Sequence, residues 1–222
     1  MKRLGPVLAG SGLALLALEI HAEVLSTTSP TIRSSLCVGF DCADSETFGS
    51  EEFKLKQNNL RILFDDTSAT ASFPARDWQI LVNDSENGGL DRFSIEDVTG
   101  GRIPFTIIGN APANSFYIDA QGDVGIGTSN PVLEAHIADG DTPSVRLEQD
   151  GTSGWTPQTW DMAGNETNFF IRDVTNGSKL PFRIRPNAPT DSLRIEGVTG
   201  NVGLGSSSPA QSLHVRRSNG TA

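Results

Sequence analysis

The stretch Gly122-Asp-Val-Gly-Ile-Gly-Thr-Ser-Asn-Pro131 returns further along the chain as Gly200-Asn-Val-Gly-Leu-Gly-Ser-Ser-Ser-Pro209. Val124 and Ile126 alternate with glycine, as do Val202 and Leu204, so the apolar side chains of each pair face one way, toward a core. Gly125 and Gly203 point the other way and leave room for another backbone to come close. Gly122 and Gly200 permit the positive φ that a tight turn needs. Pro131 and Pro209 donate no N–H and end the strand. The spacing predicts a short strand between two turns, twice.

The two copies extend on both sides of this motif. Upstream, Phe93 to Ile107 contains Asp-Val-Thr-Gly-Gly-Arg-Ile-Pro-Phe-Thr, and Phe170 to Ile184 contains Asp-Val-Thr-Asn-Gly-Ser-Lys-Leu-Pro-Phe-Arg. Asn110-Ala-Pro112 answers Asn187-Ala-Pro189, Ser115 to Ile118 answers Ser192 to Ile195, and His136-Ile137 answers His214-Val215. A looser match pairs Arg61 to Thr67, followed by Phe73 and Trp78, with Arg146 to Thr152, followed by Trp155 and Trp160. The apolar beats between breakers are too short for amphipathic helices and fit strands. The expected fold is all-β: two tandem repeats of short strands, fibre-shaft or β-prism/solenoid-like. Short strand pairs are unstable alone, so such units hide their apolar side against neighbours or other subunits.

Lys2 and Arg3, the apolar run Leu4 to Leu18 and the small Ala22 read as a signal peptide over residues 1–22. The run is short for a membrane span. A Ser/Thr-rich leader follows over 23–47, then a first β-repeat unit over 48–144, a second over 145–215, and a tail over 216–222. Cys37 and Cys42 are the two cysteines of the chain. In an oxidising compartment so close a pair reads as a small disulfide loop. The expected location is secreted or cell-surface, with the periplasm as an alternative.

The formal charge of −10 argues against nucleic acid, which needs a basic surface, and against attraction to anionic membranes. Val-Gly-Ile-Gly lacks the third glycine and the helix of a dinucleotide loop, so no cofactor is expected. His136 and His214 stand at equivalent positions without a nucleophile motif, which points to packing. Acidic groups such as Asp65-Asp66, Asp119 with Asp123 and Asp139 with Asp141 read as solvated turns; Ca²⁺ binding and a glycosidase pair are the sharper alternatives. Trp78, Trp155 and Trp160 are the candidate glycan-binding residues, since aromatic faces stack on sugar rings. Trp78 and Trp160 are repeat-equivalent, which favours packing for those two.

The Gly-x-Val-Gly-Ile/Leu-Gly motifs, followed by Ala135-His-Ile137 and Leu213-His-Val215, resemble the shaft repeat of phage tail fibres and tail spikes and of related secreted bacterial proteins. The resemblance covers about Phe93 to Val215. It implies a β-rich, commonly trimeric fibre segment. A signal peptide departs from the phage pattern and favours a bacterial exported protein, and no chaperone domain or receptor-binding tip is recognisable. Three functions follow as expectations: a non-catalytic structural or adhesive segment that forms a homo-oligomer and touches surface glycans, a carbohydrate-binding module, or a secreted polysaccharide-degrading enzyme.

Overall fold

The computed structural model describes residues 31–70 and 72–216. The expected signal peptide, the start of the leader and nearly all of the tail lie outside them. Among the described residues the chain is all-β, with sixteen strands in five small sheets, none closed into a barrel. It divides at Gly109/Asn110 into two units.

The first unit begins with β1 (Leu36–Val38) and β2 (Phe53–Leu55), a parallel pair. β1 lies inside the segment expected as leader. The Cys37–Cys42 disulfide closes the loop after β1, and Glu46 joins Lys54 and Lys56 at 3.2 and 2.9 Å. These links substitute for the apolar periodicity that the segment lacks. β3 (Leu60–Phe64), β4 (Trp78–Val82), β5 (Arg92–Asp97) and β6 (Arg102–Ile108) then form an antiparallel meander.

The second unit holds β7 (Tyr117–Ile118), β8 (Val124–Ile126) and β9 (Ala135–Ile137), with β7–β8 antiparallel and β8–β9 parallel. A second meander follows: β10 (Ser144–Gln149), β11 (Gln158–Gly164), β12 (Phe169–Asp173) and β13 (Lys179–Ile184). β14 (Arg194–Ile195), β15 (Val202–Leu204) and β16 (Leu213–Val215) repeat the three-stranded pattern.

Local chemistry repeats with the topology. In each meander the third and fourth strands meet at an Asp-Val-Thr turn. Thr99 Oγ1 accepts the Asp77 N–H and Thr175 Oγ1 accepts the Thr159 N–H, both at 2.9 Å, tying the turn to the preceding strand. The Asp97 and Asp173 carboxylates accept the Gly100 and Asn176 N–H groups. A bulge follows in β6 and in β13, where three steps answer two on the neighbour. Pro104 and Pro181 lie in these bulged edge strands, where a missing N–H is tolerated. In the linking turns Asn114 and Asp191 take φ of 61° and 60°, and their carbonyls accept the Gly127 and Gly205 N–H groups.

Gly125 and Gly203 are fixed by close approach. A Cβ on Gly125 would lie 2.2 Å from the Thr128 carbonyl oxygen, and one on Gly203 would lie 2.6 Å from that of Ser206. The glycine side of the motif is the covered side. Ile126 and Leu204, on the other side, are exposed, so the expected core face is open.

Strand register also corrects the looser upstream match. Trp78 pairs with Phe64 and Asp97, and Trp160 with Leu147 and Asp173. The two tryptophans are therefore equivalent, but Arg61 is not the counterpart of Arg146. Arg61 stands three residues before Phe64, and Arg146 stands one before Leu147. Ser144 takes the Arg61 position. Likewise Phe93 corresponds to Phe169, because Ile95 and Ile171 face Ile80 and Met162.

Candidate functional site

Residues directly opposite in a sheet share a face, and neighbours along a strand alternate. The register therefore assigns every meander residue to one of two faces. In the first sheet one face carries Leu60, Ile62 and Phe64 on β3 and Trp78, Ile80 and Val82 on β4. It continues with Phe93 and Ile95 on β5 and Phe105 and Ile107 on β6. In the second sheet the same face carries Val145 and Leu147, Trp160 and Met162, Phe169 and Ile171, then Phe182 and Ile184. Every one of these side chains is exposed or half-buried. The charged groups on this face sit at the turn end, Asp97 opposite Arg102 in the first sheet and Asp173 opposite Lys179 in the second.

The opposite face is closed by its own polar network. Every buried strand residue of the meanders lies there: Leu81 and Ser94 in the first sheet, and Asp161, Ala163 and Phe170 in the second. Ser94, 0% exposed, bonds Thr106 at 3.0 Å. Asp161, 3% exposed, accepts hydrogen bonds from Arg146 Nε at 2.8 Å and Arg172 Nε at 3.0 Å. Arg146 first, then Arg172, holds its carboxyl down at about 2. Arg172 also lies over the Phe170 ring. Among the described residues Leu81, Ala163 and Phe170 are the buried apolar side chains. The strand-to-strand contacts of each unit follow the hydrogen-bonded ladders, so neither unit builds a layered core.

The small sheets have the same asymmetry. Ile118, Val124, Ile126 and Ile137 share one face, as do Ile195, Val202, Leu204 and Val215. The other face pairs Gly125 with His136 and Gly203 with His214. His214 Nδ1 accepts the Ala210 N–H at 3.2 Å, while His136 Nδ1 is buried without a partner.

The glycan candidates separate. Trp78 and Trp160 belong to the apolar strand faces. Trp155, 72% exposed, stands in the β10–β11 loop, which is held by the Gly154 N–H on Gly151 O and by Gln149 on Thr156 O. The acidic turns cap their own backbones. Asp119 accepts the N–H groups of Gln121 and Asp123, and Asp139 accepts that of Asp141. Asp66 accepts the Ser68 N–H and is held below its ordinary value by Ser68. Among the described residues no three His, Cys, Asp or Glu side chains gather as a metal site, and no helix is long and apolar enough to cross a membrane. Sequence reasoning missed the Arg146–Asp161–Arg172 cluster, whose signal was an Asp set between Trp160 and Met162.

No protein-family model matches the chain, and no curated protein matches it.

Proposed function

We propose that this chain is an exported, non-catalytic structural or adhesive segment that assembles with copies of itself into a fibre-like homo-oligomer. The observation that carries this reading is the open apolar face on each sheet. A soluble chain rarely leaves contiguous apolar surface of that size uncovered unless something binds there. The resemblance to shaft repeats implies that the assembly is a trimer. The Cys37–Cys42 disulfide supports a secreted or cell-surface location, because such bonds persist in oxidising compartments. Every carboxyl group whose titration is displaced among the described residues moves downward, as for Glu46, Asp66 and Asp161, whereas a glycosidase acid needs an upward shift. Light scattering on residues 23–222 tests the reading. A mass near three chains is expected, and a compact monomer at all concentrations overturns it.

A second reading, a carbohydrate-binding module, is favoured by Trp155 on its braced loop. It requires a monomer whose polysaccharide binding disappears in Trp155→Ala.

A further inference from the structure

Comparing the two meanders position by position separates their faces sharply. On the open face Trp78/Trp160, Ile95/Ile171 and Phe105/Phe182 are identical, as are Phe93/Phe169 and Ile107/Ile184. The substitutions there, such as Ile62/Val145 and Ile80/Met162, stay apolar, apart from Val82, whose place Gly164 takes. On the closed face Leu63/Arg146, Gln79/Asp161, Glu96/Arg172 and Thr106/Arg183 change size, polarity or charge. There the bulge prolines alone are kept, and they serve the backbone. If folding of the single chain were the constraint, the positions with buried side chains would be held. Instead the held positions are those open to solvent, which is the pattern of a surface shaped twice for the same partner.

We infer that the open faces of the two meanders are equivalent docking surfaces whose occupant is the same face on another copy of this chain. The inference rests on the self-assembly reading above and names its contact surface. Its charges are confined to the turn end and balance, Asp97 opposite Arg102 and Asp173 opposite Lys179, so the rest of the face offers no net charge to a polar ligand and needs an apolar sheet of equal width. Copies of this chain present such a sheet, and a face that meets itself is satisfied by identical residues.

The test compares faces in the full chain. Sedimentation equilibrium, with urea added until dissociation is measurable, is run on Ile95→Asp, Ile171→Asp and the double variant, alongside Leu63→Asp and Arg183→Asp on the closed face. Each open-face change is expected to weaken association about tenfold or more, the double variant more than either, and the closed-face changes far less. Ile95→Ala and Ile171→Ala are included with far-UV circular dichroism, so that lost strand content is distinguished from lost docking. They are expected to keep strand content and still weaken association. An oligomer insensitive to open-face substitutions but broken by closed-face ones overturns this inference and leaves self-assembly standing. An unaltered chain that stays monomeric throughout removes both.

Discussion

Leu81 faces Ser94 in the first meander, and Ala163 faces Phe170 at the same place in the second. A large residue with a small one has been exchanged for a small one with a large one, so total volume is kept while the partners swap. Phe170→Ser alone should cost about 3 kcal/mol by leaving a cavity. Adding Ala163→Leu should recover part of that loss, a coupling that a double-mutant cycle in urea reads directly. Gly125→Ala and Gly203→Ala force a methyl against a carbonyl and should lower the melting temperature, whereas Gly140→Ala meets nothing within 4 Å and should leave it unchanged. Asp161 supplies a pH signature. Its folded pKa of about 2 lies below the unfolded carboxylate value near ~3.9. The stability it contributes is therefore present above the unfolded value and is lost as pH falls through about 2. Asp161→Asn should destabilise by about 2 kcal/mol at neutral pH and flatten the acid limb of the melting curve below pH ~4.

At the scale of elements, the alternation and turn residues were enough to read strands in the repeated region. Glycine beside valine, the Asp-Val-Thr turn and the following proline each act within a few residues. Their signal is local, so it survives in the sequence. Register across β3 and β10 was not legible, because Arg61 and Arg146 offered a matching residue at a non-matching position and no local chemistry corrects a two-residue slip. β1 was hidden for a related reason: Leu36–Val38 is short, and its partner β2 lies beyond a loop pinned by Glu46 and the disulfide. The candidate surface was only half legible. Which residues alternate could be read, but that both sheets keep one face apolar and uncovered follows from cross-strand partners. Replacing Cys37 and Cys42 by Ser should cost the β1–β2 element about 2 kcal/mol of closure entropy and leave the meanders intact. Faster hydrogen exchange confined to residues 36–56 is the expected record.

At the scale of the whole molecule, few apolar side chains are buried among the described residues, and on the proposed self-assembly most stability comes from association. A protein of this kind melts at a temperature that depends on its concentration. Raising the chain concentration tenfold should lift the melting temperature by about 2 °C or more, whereas a self-sufficient monomer shows no change. The acidic charge of −10 should make association stronger in added salt as repulsion between copies is screened.

The bulged outer strands have a consequence for how large an assembly can become. Pro104 and Pro181 remove an amide from strands that would otherwise recruit a neighbour side by side. Lateral growth is unbounded, since each added ribbon offers a fresh rim, whereas contact through broad surfaces closes on itself after a few members. Restoring the amide with Pro104→Thr and Pro181→Thr should convert a finite particle into one that seeds thioflavin-staining fibrils on standing.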